Sequence, residues 1–482
     1  MAPKNVHTKK NTHYTGTKKG LVILTEFTDK RFLEKHDRQK YNDILNASGY
    51  TTGEGFIGSV ADYFRDQSNG LFDLEFDVVG PFTTKNNYSY YGKNNSDGDD
   101  LYPEKMVTEM CMAADSIVNF ADYDWNGDGE VDEVFILYAG KGEADTGIAN
   151  YIWPHMWSLE DATGSPIFLD GVKINIYACS NELTSSGKIC GIGTFCHEFS
   201  HCLGLPDFYD ITYSGLFGMG EFDLMSGGTY NGNGFCPPCY TAYEKMACGW
   251  QDPIVLSDED MTVDSLKPIS ENGDTYIIYN DNHPDEFYMI ENRQKTGWDK
   301  SYPAKGLMIT HVDFDQDVWF NNIPNSVLTL EEAFNLGYTC KNDHQRMIIF
   351  HADNDDDSKY WNNYGYYLKS TLTTDLYPYK TNDSLTIISK PVATLFHNNS
   401  EGTKLMQGAV LDITQNNDRT MSFRYRAKTP DAVASVQPTS NGLPTSDNGL
   451  QATGIYDLLG RKLSGKPSKH GVYIVDGKKV VR

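Results

Sequence analysis

Residues 197–207 read H-E-F-S-H-C-L-G-L-P-D, and their spacing predicts a helix that carries a zinc site. His197 and His201 are four apart, so on a helix their imidazoles leave one face and can reach a single ion. A catalytic zinc takes about three protein ligands and keeps one position open. Gly204 is placed to end the helix, because a residue free to adopt positive φ lets the chain reverse within a few positions. Asp207 can then return as an oxygen donor, with Asp210 and Asp223 close enough in sequence to stand as alternatives. Glu198 sits beside the ion and is expected to serve as general base. Downstream, F-D-L-M-S-G-G at 222–228 puts Met225 in a glycine-flanked turn that can floor the histidines, and the hydroxyl of Tyr230 can donate to a developing oxyanion.

Outward from this motif the chain alternates β-rich runs with helical patterns. G-L-V-I-L-T-E-F at 20–27 suits an interior strand, S-V-A-D-Y-F-R-D-Q-S at 59–68 a helix capped by Ser59, and 72–79 a strand. A helix is expected over 103–120, with Met106, Met110, Ala113, Ile117 and Val118 as its stripe, then a strand over 133–139 and a helix over 237–249. This is the pattern of helices covering a twisted sheet. From about 253 the texture becomes short β-rich runs punctuated by Asn, Asp, Pro and Gly, which reads as a β-sandwich-like unit.

The resulting division is an N-terminal extension (1–17), a catalytic domain (18–252), a β-rich domain (253–427), a polar linker (428–451) and a β-hairpin tail (452–482). A chain of 482 residues with 66 acidic side chains against 41 Lys and Arg, net −25, disfavours nucleic acid and anionic membranes as partners. No apolar run approaches the roughly 20 residues of a membrane span. The N-terminus lacks the apolar segment of a signal peptide. Nine cysteines, six of them between 190 and 248, are expected to be mostly buried thiols with one or two disulfides.

Part of the acidic surplus lies in D-Y-D-W-N-G-D-G-E-V-D-E, 122–133, which nearly matches an EF-hand loop begun at Asp122 with Gly127 at its sixth position. Asp122, Asp124, Asn126 and Asp128 are the expected calcium ligands, completed by Asp132 or Glu133. A strand-like V-F-I-L-Y follows instead of a helix, so the ion would be structural.

The motif H-E-F-S-H-C-L-G-L-P-D-F-Y-D, with the turn D-L-M-S-G-G, resembles the M6 family of secreted bacterial metallopeptidases, typified by immune inhibitor A. The likeness extends through 18–30, 58–68, the Asp-rich loop, I-W-P-H at 152–155, E-N-R-Q at 291–294 and G-L-M-I-T-H-V-D at 306–313, covering about 18–427. It implies an α+β zincin-like catalytic domain, zinc on His197, His201 and Asp207, Glu198 as base, and hydrolysis of polypeptides. In I-W-P-H, His155 or its neighbouring indole is a candidate for the substrate cleft, whereas His311 and His351 follow apolar strands and read as structural. The terminal segments resemble C-terminal regions of exported proteins from Bacteroides and Prevotella-like bacteria. The expectation is a monomeric, secreted or cell-surface zinc endopeptidase with structural calcium. The alternative is a catalytically weak adhesion or glycan-binding protein on the same scaffold; an intact Glu198 argues against it.

Overall fold

The computed structural model describes residues 14–96, 98–356 and 369–427, together with four short tail strands at 455–456, 462–463, 472–475 and 478–481. The expected linker at 428–451 and most of the N-terminal extension lie outside the described residues.

A five-stranded sheet anchors the first half of the chain. It comprises β1 (Gly16–Glu26), β2 (Phe72–Thr83), β3 (Val134–Lys141), β4 (His155–Ser158) and, after the small hairpin β5 (Ile167–Leu169) and β6 (Val172–Ile174), β7 (Ile176–Leu183). The order is β2-β1-β3-β7-β4. Four strands run parallel, with Leu21 opposite Val134 and Val134 opposite Tyr177, and β4 closes one edge antiparallel, His155 facing Cys179. The middle strands read as unbroken apolar runs because both faces are covered. Leu21 and Ile23 enter one core with Met106 and Met110; Val22 and Leu24 enter another with Phe64 and Phe199.

Helices α1 (Arg38–Asn46) and α2 (Val60–Gln67) cover one face. Ser59 caps α2 with a reciprocal capping box, its hydroxyl taking the Asp62 N–H and the Asp62 carboxylate taking the Ser59 N–H. On the other face, after the single turn α3 (Tyr88–Gly92), lies α4 (Pro103–Ala114), six residues shorter than the expected 103–120. Ala114 O accepts turn bonds from both Ile117 and Val118, so the helix stops at Ala114; Ile117 is left 61% exposed while Val118 still packs on the core. Next come α5 (Leu159–Thr163), the motif helix α6 (Gly193–Cys202) and α7 (Ala242–Ala247), the last starting only after its Thr241 cap because Pro237 and Pro238 precede it in extended chain.

Beyond α7, a second sheet has the order β13 (Met347–Ile349), β12 (Gly306–Asp313), β11 (His283–Arg293), β10 (Tyr276–Asn280), β8 (Ile254–Val255). A third contains β14 (Ala409–Gln415), β15 (Met421–Arg426) and β9 (Met261–Leu266). Alternation along the second sheet explains its two covered faces. Tyr288, Ile290, Leu307 and Ile309 meet Val263, Val410 and Phe423 of the third sheet, while Phe287, Met289, Met308 and Val312 join the core around α6. Hydrophobic packing therefore crosses the 252/253 boundary without interruption, and the described residues up to 427 form one compact unit.

E-N-R-Q supplies a polar staple within that packing. Arg293, fully buried, pairs with Glu291 and Asp299 and donates to Cys239 O, while Glu291 also takes the Ala242 N–H. The expected disulfides are not formed: all nine cysteines are free thiols. In the separate C-terminal unit, the described strands pair as a four-stranded antiparallel set, more than the single hairpin expected.

Candidate active site

Helix α6 presents opposite faces to core and cavity. Phe195 and Phe199 pack into an aromatic cluster, Phe199 lying 4.9 Å from Phe64 and 5.8 Å from Phe76 between ring centroids. Truncating Phe199 to Ala would cost about 3–5 kcal/mol. Gly193 is needed where the helix begins: a Cβ there would meet Thr229 O at 2.0 Å, so the absent side chain lets the 227–234 turn close against α6. Gly204, at φ 91°, makes the reversal after α6.

That reversal brings Asp207 back over the helix. Its Oδ1 stands 3.1 Å from His197 Nε2 and 3.4 Å from His201 Nε2. Ligands about 2.0–2.1 Å from a tetrahedral zinc are separated by about 3.3 Å, so the three atoms fit one ion. Both rings are oriented from behind: His197 Nδ1 bonds Leu224 O at 2.8 Å and His201 Nδ1 bonds Leu205 O at 2.7 Å. Backbone acceptors on Nδ1 place the proton there and leave Nε2 as the ligating atom. Asp207 Oδ1 is buried and takes no hydrogen bond, as expected of an oxygen facing a cation. The residues present thus fit zinc.

Asp207 is pinned from far along the chain. Asn322 Nδ2 donates to its Oδ2 at 2.7 Å, and Asn322 Oδ1 accepts from its N–H at 2.6 Å. Sequence reading had no signal for Asn322, 115 positions away. Neither alternative carboxylate joins the cluster. Asp210 is occupied by the hydroxyls and N–H groups of Thr212 and Ser214, and Asp223 by the Met225 N–H within the turn beneath His197.

Glu198 borders a cavity of about 340 Å³ together with His197, Trp153, Tyr209, Phe217 and Tyr230. Burial raises its carboxyl above the ordinary range, against the pull of His197 and His201. Burial lowers His197, but Asp207 and Glu198 outweigh it and carry the imidazole up to about 9. Tyr230, 54% exposed, stands at the cavity rim. Tyr209 was missed: it follows Asp207 by two residues, and burial, then the charge of Asp207, pushes its phenol up, so it remains a donor. His155 is turned from the cavity to Trp153 O and the Tyr177 hydroxyl, while Trp153 itself lines it. His311 and His351 pair with Glu286 and Asp375.

The acidic loop folds on a frame that starts two residues later than expected. Asp124 accepts from the N–H groups of Gly127, Asp128 and Gly129; Asn126 accepts from Asp128; Asp128 accepts from Glu130; Asp132 accepts from Trp125. Asp122 turns instead to Asn119 and Lys19. Glu133 is buried with neither carboxylate oxygen hydrogen-bonded.

Residues 9–248 match the family model described as the immune inhibitor A peptidase M6 catalytic domain. The first half of the chain is thus similar to the catalytic domain of M6 peptidases. It is 29% identical over 277 residues to the pre-pro-metalloprotease PrtV of Vibrio cholerae, covering 48% of this chain and 29% of that protein. Immune inhibitor A of Bacillus thuringiensis subsp. alesti is 27% identical over 272 residues, 47% of this chain and 39% of that protein. The matched region thus spans well under half of either relative. Among the described residues no helix is long and apolar enough to cross a membrane.

Proposed function

We propose that this chain is an exported, zinc-dependent endopeptidase acting on polypeptides as a monomer. The observation that carries the reading is the convergence of His197 Nε2, His201 Nε2 and Asp207 Oδ1 beside Glu198 on an open cavity. A zinc ion bound there would supply Lewis acidity, polarising a peptide carbonyl and acidifying a water. Glu198, its basicity raised by burial, takes the proton of the attacking water and returns it to the departing amine. Asn322 and the Leu205 and Leu224 carbonyls hold the ligands in register, and Tyr209 and Tyr230 offer hydroxyl donors to the oxyanion. Trp153 and Phe217 give the cavity an apolar wall for substrate side chains.

Calcium on Asp124, Asn126, Asp128 and Asp132 would brace the loop entering β3, with Asp122 turned to Asn119 and Lys19 instead. The tail's likeness to C-terminal segments of exported Bacteroides and Prevotella-like proteins supports export. The test is hydrolysis of denatured casein by the full chain, with and without a zinc chelator, and by Glu198→Ala. Activity that survives both treatments sinks the reading.

A further inference from the structure

We propose that His283, Asp313 and His397 form a second zinc site, on the sheet β8–β13 and independent of the proposed peptidase activity. His283 opens β11, Asp313 ends β12, and His397 lies in the loop leading to β14. One ligand atom from each lies within 4.8 Å of the others. Asp313 is fully buried, and its two oxygens behave differently. Oδ2 is held by Arg346 Nη1 at 2.5 Å and His344 Nε2 at 2.8 Å, and His397 Nε2 also reaches it at 3.2 Å. Oδ1 is buried and takes no hydrogen bond of acceptable geometry, although His397 Nε2 stands 3.1 Å away. His283 Nδ1 is likewise buried without a partner.

An oriented carboxylate with one oxygen clamped from behind, and two imidazoles beside the other, is the pattern of an outer shell around metal ligands. Two nitrogens and one oxygen suit zinc and its first-row neighbours, while calcium and magnesium require oxygen-rich shells. The His283 and His397 rings are stacked 3.8 Å apart and 4° from parallel. Both lone pairs reach one ion only if a ring tilts, and His397, whose side chain is 38% exposed, has room to do so. An ion there would clamp β11, β12 and the 396–397 loop. Arg346 extends the clamp through Asn342, whose side chain holds the Ile323, Pro324 and Ser326 carbonyls next to Asn322.

The test counts zinc on the full chain after chelation, dialysis and titration with zinc alone. Wild type should hold two ions, His197→Ala/His201→Ala one, and His397→Phe, which keeps the ring stack, one. An equal count in His397→Phe and wild type overturns the proposal, as does no zinc in the His197/His201 double variant. One ion in wild type and none in His397→Phe would sustain this site while refuting the catalytic one. To exclude misfolding as the cause of a loss, zinc-edge anomalous scattering from wild-type crystals should peak among His283, Asp313 and His397; an empty map there refutes the site.

Discussion

Replacing Asn322 with glycine tests the site most sharply, because Asn322 touches neither cavity nor proposed metal. Its backbone sits at φ 58°, which glycine adopts freely, so the loop geometry survives while both side-chain bonds to Asp207 disappear. The bond to the carboxylate is of the charged class, about 1.5–3 kcal/mol, and the bond from the backbone N–H about 0.5–1.5 kcal/mol. Part of this loss falls on folding. The share that reaches the ligand set should match that of other outer-shell partners, a 10–100-fold drop in zinc affinity, or about 1.4–2.8 kcal/mol. Competition with a chromogenic chelator measures it directly, with casein hydrolysis at saturating zinc as the companion assay. Asn322→Gly should bind zinc 10–100-fold more weakly and recover most of its turnover when zinc is added. Affinity within twofold of wild type would show that Asp207 is held, or zinc is bound, by other means.

Glu198→Gln should lower kcat by about 10²–10⁴ with zinc content unchanged; a loss under tenfold in the assay removes Glu198 from the base role. Asp124→Ala should abolish the rise in melting temperature on adding calcium, worth about 2.7–4.1 kcal/mol at 100–1,000 times Kd, whereas Asp122→Ala should leave it; the reverse outcome moves the loop frame back to Asp122. Arg293→Ala strands Glu291 and Asp299 in the core and should cost about 3–5 kcal/mol by urea unfolding. Burial, with repulsion from Glu143 and Asp99, raises Asp100 to about 8 although the Trp153 N–H opposes it. The folded chain therefore keeps a proton the unfolded chain releases near pH 3.9, so stability falls as pH rises from there toward 8. Asp100→Asn should flatten that part of the urea-midpoint profile; an unchanged slope refutes the assignment.

What could be read from sequence was contiguous. His197, Glu198 and His201 lie on one helical turn, and the reversal at Gly204 follows from a local backbone demand. Asn322 was invisible because it meets Asp207 only after the second sheet packs against the α6 core. The loop frame was ambiguous for a local reason: D-x-D-x-N-G from Asp122 and D-x-N-x-D-G from Asp124 overlap with period two, and only backbone N–H directions separate them. Likewise, helical periodicity through Ile117 and Val118 gave no sign that the helix ends at Ala114. The burial of E-N-R-Q was not legible either, because Arg293 finds Asp299 and Cys239 O only in the folded core.

The placement of Asn322 also bears on timing. Synthesis runs from the N-terminus, so the histidines are made well before the asparagine that steadies their aspartate, with β11 and β12 lying between them in the chain. A chain interrupted before residue 322 would thus carry both histidines and Asp207 without the side chain that steadies the carboxylate.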